Sequence, residues 1–180
     1  MSKSNPFKKK RREAKKTALL YCEGIDEKTF FNYLKMIFAK DSGVFVTIKE
    51  NHGGEANGVL NGVLKQDLRD WTVCMYDIDT GFDVDLKREV EEKGILCLEN
   101  DPCLEVFLLN ILETKNYLHY KNQKSGDCKK IFETKYLSNK KRKDKSNYKK
   151  IFPKELLIKR AKDIKNLKTL IDLIRGKYEN

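Results

Sequence analysis

The strongest fold signal of this chain lies in two segments, Thr17–Cys22 (TALLYC) and Trp71–Tyr76 (WTVCMY), each followed at once by an acidic residue. Both are almost continuously apolar, which is typical of strands that are buried on both faces of a parallel sheet. Two shorter runs, Val44–Ile48 (VFVTI) and Ile95–Leu98 (ILCL), have the same character. The sequence therefore predicts four buried strands within its first 113 residues.

Amphipathic segments alternate with these strands. Apolar residues recur at helical spacing from Asp26 to about Lys40, and further helices are predicted at 56–68, 83–93 and 103–112. Strands that alternate with helices in this way form a parallel sheet through right-handed crossovers. We therefore predict an α/β, Rossmann-like fold with a mostly parallel sheet of about four strands flanked by helices.

The distribution of charge divides the chain of 180 residues into parts. The net charge of +11 is made up of +7 in residues 1–16, −10 in 17–113, +12 in 114–160 and +2 in 161–180. We predict a basic N-terminal tail over 1–16, an α/β domain over 17–113 and a basic, helical C-terminal extension over 114–180. An acidic body between basic flanks indicates a cation site beside a surface for phosphates.

The remaining composition excludes several classes of protein. No apolar run approaches the roughly 18 residues of a membrane span, so no membrane partner is expected. The five cysteines are odd in number and form no C-x-x-C pair, and with His52 and His119 they make no convincing zinc site. Thiols of this kind are typical of a reducing compartment, so a cytoplasmic protein is expected.

The basic extension contains two features of interest. Apolar residues at three and four residue steps predict one long amphipathic helix from just after Pro153 until Gly176. Before it, a Lys-rich and Asn-rich segment reads as exposed, and interleaved tyrosines offer faces on which a base could stack. The predicted nucleic-acid-binding residues are Lys140, Lys141, Arg142, Lys143, Lys145, Tyr148 and Lys150. The alternative is an ordinary solvated surface, and the sequence leaves both open.

Acidic residues follow the two strands quoted at the outset. Glu23 comes directly after the first, while Asp77 and Asp79 straddle the end of the third. Residues two apart in a strand point the same way, and the carboxyl ends of neighbouring parallel strands lie together, so the three carboxylates can converge. Carboxylate oxygens select Mg²⁺ or Mn²⁺. We predict that Glu23, Asp77 and Asp79 form a metal site; the alternative is a set of helix caps and turns.

These residues carry a resemblance to a known family. The segments Leu20–Gly24 (LYCEG) and Tyr76–Asp79 (YDID) resemble the two signature motifs of Toprim domains. Asp101–Leu109 (DPCLEVFLL) is similar to the Pro-Cys-aromatic-Glu segment of RloB-like proteins, and Tyr148–Lys150 to the family's Tyr-x-Lys stretch. The resemblance extends over most of residues 17–175.

The resemblance implies a Toprim nuclease of anti-phage defence, often encoded with a partner ATPase. It implies that Glu23 is the general acid/base, that Asp77 and Asp79 hold Mg²⁺, and that Glu105 is a further acid of the site. The spacing from Glu23-Gly24 to Glu27 departs from the family pattern, which weakens any role for Asp26 or Glu27. The substrate, DNA or RNA, stays open, as does self-association of the chain.

Two other functions compete with this hypothesis. One is a Toprim module that binds nucleic acid or a partner protein without catalysis. The other is a receiver-like signalling domain, which also has acids after its first and third strands. A receiver normally places an acid pair after the first strand, whereas this chain has a single Glu followed by Gly, and a receiver does not explain the +12 segment.

Overall fold

A parallel sheet lies at the centre of the part of the chain that the computed structural model describes, which is residues 15–113, 120 and 123–179. In that part the sheet has four strands in the order β2-β1-β3-β4. The strands are β1 (Lys16–Cys22), β2 (Val44–Glu50), β3 (Trp71–Asp77) and β4 (Ile95–Asn100). All three pairings are parallel, so the predicted α/β fold with a parallel sheet of four strands is confirmed.

Helices connect the strands and form the C-terminal extension. Those of the α/β domain are α1 (Ile25–Phe38), α2 (Ala56–Leu64), α3 (Val84–Glu92) and α4 (Leu104–Leu112). Those of the extension are α5 (Ser125–Lys135), α6 (Asn139–Arg142), α7 (Lys145–Ile151), α8 (Lys154–Arg160) and α9 (Lys165–Ile174). None of these described helices has the length and apolar character needed to cross a membrane. Residues 1–14 of the predicted basic tail lie outside the described residues, and β1 already begins at Lys16.

The two faces of the sheet are covered by different helices, because side chains alternate along each strand. On one face, Leu20 and Met75 belong to a large core that also contains apolar residues of α1, α4 and the extension. On the other face, Tyr21 and Cys74 pack in a smaller core with residues of α2 and Val90 of α3. Because its helices belong to the larger core, the extension packs on the domain and does not stand apart from it.

The structure corrects two expectations about the extension. The long helix predicted after Pro153 is broken into α8 and α9, because residues 161–164 form a turn in which Asp163 pairs with the buried Arg160 (3.2 Å). The basic segment has exposed lysines, as expected, but it is largely helical, as α6 and α7. Two of its side chains, Arg142 and Tyr148, are buried against the domain.

A tightly held loop follows β2 and reaches the end of β1. The backbone N–H of Asn51 donates to the carbonyl of Cys22 (2.8 Å), and that of Gly53 donates to the carbonyl of Glu23 (2.9 Å). The Tyr21 hydroxyl donates to Asn51 Oδ1 (3.0 Å). Helix α2 lies against this bond at Gly62, where an added Cβ would clash with the Tyr21 hydroxyl and lie 2.6 Å from Asn51 Oδ1. Glycine inside this helix therefore serves a close approach, which offsets its poor helix propensity.

Candidate acidic active site

The ends of the two central strands bring Glu23 and Asp77 together, as the sequence predicts. Glu23 follows β1 and Asp77 ends β3, and the backbone N–H of Asp77 donates to Glu23 Oε2 (3.4 Å). On the other side, Asn100 ends β4 in register with Asp77, and its Nδ2 donates to Asp77 Oδ1 (3.0 Å). The Asp77 carboxylate is therefore buried and held in place between two neighbouring strands.

Asp79 does not accompany Asp77 into the site. Strand β3 ends at Asp77, and Asp79 lies exposed in the turn that the Gly81 N–H closes on the Ile78 carbonyl (3.1 Å). The expectation that the side chains of Asp77 and Asp79 point the same way was wrong. The alternation of side chains holds only within a strand, and Asp79 lies in the turn after β3. Burial raises the pKa of Glu23, and the nearby charge of Asp79 raises it further.

Two helices contribute buried acids to the same place. Glu105 in the first turn of α4 is buried, as is Glu27 in the first turn of α1, whose Oε2 accepts from the Gly24 N–H (3.1 Å). The family spacing weakens a role for Asp26 and Glu27, but the structure places both in the lining of the same cavity. A sequence signal existed, since Glu27 shares a helical face with apolar residues three, four and seven positions later: Phe30, Phe31 and Leu34.

Arg142 is the main counter-charge of these acids. Its side chain is 3% exposed and forms an ion pair with Glu105, with Asp26 (3.1 Å) and with Glu133 (2.8 Å). We call these four residues the Arg142 cluster. The prediction that Arg142 contacts nucleic acid at the surface was wrong, because its guanidinium is already committed to three carboxylates.

The same burial excludes the predicted stacking role of Tyr148. Its ring is fully buried and packs against Phe30, Tyr33 and Phe152. A base cannot reach either face of the ring, so the aromatic part of the predicted nucleic-acid surface is lost at this position. The other predicted residues of this surface are exposed on and around α6 and α7: Lys140, Lys141, Lys143, Lys145 and Lys150.

Burial and mutual repulsion govern the ionisation of the acids. Burial, the charge of Glu27 and that of Glu23 raise the pKa of Asp77 to about 8, although the hydrogen bond from Asn100 opposes this. Burial, followed by the charge of Glu23, raises the pKa of Glu27 to about 7. These carboxyls therefore carry protons near neutral pH unless a cation replaces the protons.

A cavity of about 620 Å³ opens above the strand ends and gives access to these acids. Two permanently positive side chains line it, Lys129 and Arg142, together with His52 of the loop after β2. Its acidic lining residues are Glu23, Asp26, Glu27, Glu50, Asp77, Glu105 and Glu133. The cavity is therefore strongly acidic, although the extension beside it is basic. Lys129 and Glu50 were not predicted, because only the fold brings them here.

The oxygen atoms of the site are suitable ligands for a hard cation such as Mg²⁺, although few of them lie close together. Oxygen donors are plentiful, and Asp26 Oδ1 and Glu105 Oε2 are buried without a hydrogen-bond partner. Over residues 15–113 and 123–179, however, no three Asp, Glu, His or Cys side chains are grouped closely enough to hold a metal ion by themselves. Mg²⁺ commonly uses one or two carboxylates and completes its shell with water and substrate phosphate. Glu23 and Asp77 can supply that smaller set.

Comparison with known proteins adds no assignment. No family model, no curated protein and no solved structure matches this chain. The Toprim-like and RloB-like motifs are therefore a resemblance in short segments of sequence, and the site has to be interpreted from its own geometry.

Proposed function

We propose that this chain is an Mg²⁺-dependent or Mn²⁺-dependent nuclease that cleaves phosphodiester bonds of DNA or RNA. One observation carries the proposal: Glu23 and Asp77 adjoin at the carboxyl ends of the two central parallel strands, in a cavity with an excess of acids. Sites of α/β proteins lie at this edge of the sheet. The exposed lysines of α6 and α7 add a surface that attracts the phosphates of a nucleic acid.

Each acid has a role in this proposal. Glu23 and Asp77 would hold the cation, which would activate water and stabilise charge on the phosphate. Glu23 moves a proton, a role that fits a carboxyl whose pKa burial raises above its ordinary value. Asp79 lies outside the cavity and supports the cation through its charge. Glu105 is held by Arg142 and contributes to the negative potential of the cavity.

The biological setting is part of the proposal. The resemblance to RloB-like proteins supports an effector of anti-phage defence that works with a partner ATPase. The five cysteines are all free, which supports a cytoplasmic location. Self-association of the chain is compatible with this role.

A second candidate is a module that binds nucleic acid without cleaving it. It is favoured by the absence, among the described residues, of a ready group of three metal ligands. The two candidates differ in one measurable respect, because only a nuclease needs Asp77 and Glu23 for turnover. The receiver-like hypothesis predicts instead an acid-stable phosphate on an aspartate.

The test compares cleavage by the wild-type chain with that by Asp77→Asn and Glu23→Gln. Single-stranded DNA, duplex DNA and tRNA are incubated with Mg²⁺, with Mn²⁺ or with EDTA. Matched controls are Asp85→Asn and Glu89→Gln, which change exposed acids of α3. We expect metal-dependent cleavage that falls at least about 100-fold in both site variants, the low end of acid–base contributions, and stays unchanged in both controls.

Three results would overturn the proposal. Cleavage that persists in Asp77→Asn and Glu23→Gln would come from another site or a contaminant. Tight binding of nucleic acid without cleavage, also when a candidate ATPase is co-expressed, would establish the binding module. Phosphate incorporated at an aspartate from a small phosphodonor would establish the receiver-like function.

A further inference from the structure

The positive side chains at the acidic cavity are not equivalent. Arg142 is surrounded by its three carboxylates, and Lys28, close by on α1, pairs with Glu50 (2.8 Å). Lys129 also lines the cavity, yet no carboxylate within the described part of the chain lies within 4.0 Å of its ammonium. Lys129 is therefore the permanently positive side chain of the cavity lining that is left without an ion pair among the described residues.

The reason for this lies in the helix that carries it. Glu133 follows Lys129 by four residues on α5, a spacing at which Lys and Glu ordinarily pair across one helical turn. In this structure Glu133 is turned to Arg142 Nη2 instead (2.8 Å). The Arg142 cluster thus removes the natural partner of Lys129 and keeps its ammonium available.

The position of α5 directs that ammonium toward the acids. The buried Cys128 and Phe132 anchor the helix in the large core, and Lys129 lies at the exposed mouth of the cavity. Partial burial lowers the pKa of Lys129, but the charges of Glu105, Asp77 and Asp79 outweigh it and raise the pKa above its ordinary value. Lys129 is thus a permanently charged group that faces the acids of both the sheet and α4 without a close contact to them.

We infer that the Lys129 ammonium binds the substrate phosphate that enters the acidic cavity, the one adjacent to Glu23 and Asp77. This inference rests on the proposed function and deepens it, since it assigns the contact that draws a phosphodiester into a cavity whose acids repel it. A nucleic-acid backbone held only by the lysines of α6 and α7 would lie beside the cavity. Lys129 connects the basic surface of α6 and α7 with the acidic cavity, because it belongs to the basic extension and also lines the cavity.

The experiment uses the full chain with Lys129→Gln, Lys129→Arg and the matched control Lys130→Gln. Lys130 is the next residue of α5, is exposed and does not line the cavity. Binding of labelled duplex DNA and of tRNA is measured in EDTA over a range of salt concentrations. Cleavage of whichever substrate the wild type cuts is measured with Mg²⁺, and thermal melting checks that each variant folds.

We expect Lys129→Gln to weaken binding about tenfold, the size expected for one charged hydrogen bond, and to reduce the salt slope on duplex DNA by about 0.9. Its kcat/KM falls at least as far, because the contact is also needed for turnover. Lys129→Arg keeps the charge and restores most of the binding. Lys130→Gln stays within about twofold of the wild type in both assays.

The outcomes separate this inference from the proposed function. Equal effects of Lys129→Gln and Lys130→Gln in a chain that cleaves would overturn the role of Lys129 alone. A chain that cleaves nothing but binds more weakly in Lys129→Gln than in Lys130→Gln would overturn the nuclease and retain the phosphate contact. A wild-type chain that binds no nucleic acid in EDTA at low salt would overturn the contact.

Discussion

Replacement of Arg142 by methionine tests how strongly the extension is tied to the acidic site. Methionine keeps much of the volume and removes the charge. The variant leaves the carboxylate of Glu105, which is 4% exposed, without its counter-charge. It also removes the ion pair of Asp26, but that carboxylate is 23% exposed and is partly compensated by water. Glu133 is 38% exposed and can turn to water at little cost. The buried Glu105 therefore determines the size of the effect.

The magnitude follows from the burial of these partners. Removal of one partner of a buried ion pair typically costs about 3–5 kcal/mol, because the remaining charge stays buried without compensation. Domains of this size are stable by about 5–15 kcal/mol, so the variant is expected to fold with a clearly reduced free energy of unfolding. Adding Glu105→Gln removes the uncompensated charge and should restore about 1–3 kcal/mol.

Urea denaturation at neutral pH measures these differences, and Arg160→Met is the matched control. The Arg160 side chain is also buried, at 8% exposure, but it pairs with the 67% exposed Asp163 and with the Asn110 carbonyl. Its loss should cost about 1–3 kcal/mol, with nothing restored by Asp163→Asn. A cost below about 1 kcal/mol for Arg142→Met, or no recovery when Glu105→Gln is added to it, would contradict this role of Arg142.

Four further predictions concern the acidic site and the residues that pack around it. Because the pKa of Asp77 is raised from 3.8 to about 8 and that of Glu27 from 4.5 to about 7, the folded chain holds extra protons between these values. The free energy of unfolding without divalent ions should therefore fall from about pH 4 to about pH 8 in urea titrations, and less steeply in Asp77→Asn. The opposite slope would contradict the burial of these acids. Added Mg²⁺ should raise the melting temperature more at the upper end of this range than at the lower, where protons compete. Gly62→Ala should lower the free energy of unfolding in denaturant titrations, because its Cβ would clash with Tyr21 and Asn51. Gly126→Ala has open space around the added Cβ and should raise the free energy of unfolding by about 0.5–1 kcal/mol. If both variants are stabilised, the close approach at Gly62 is absent. Tyr148→Phe should leave both stability and nucleic-acid binding unchanged, since the hydroxyl is buried without a hydrogen-bond partner and the ring cannot stack on a base; weaker binding to single-stranded DNA would contradict this.

Most of the fold was predictable because its signals are local. The two continuous apolar runs of β1 and β3 could be recognised as buried strands without any knowledge of their neighbours. The break between α8 and α9 was not predicted. At the end of α8 the buried Arg160 donates to the carbonyl of Asn110, fifty residues earlier, and the spacing of apolar residues does not reveal such a contact. Periodicity alone continues through such a break.

Some residues of the candidate site could also be predicted from the sequence, and others could not. Strand-end positions correctly brought Glu23 and Asp77 together, while Asp79 was misplaced because the strand ends two residues earlier than the motif. Charge alone assigned Arg142 to the surface, and residue type alone assigned Tyr148 to stacking. Both assignments failed, because burial depends on which side of a short helix faces the core.

The parallel α/β sheet, the acids at its strand ends and the acidic body between basic flanks can all be predicted from the amino-acid sequence. They depend on the spacing of apolar residues, on residue type and on charge, which are local properties of the chain. Which charges neutralise one another depends on the three-dimensional fold. Arg142 leaves the basic surface to compensate Glu105, Asp26 and Glu133, and Lys129 at the mouth of the cavity thereby keeps no ion pair within residues 15–113 and 123–179. Ion pairing depends on distances between residues far apart in the chain.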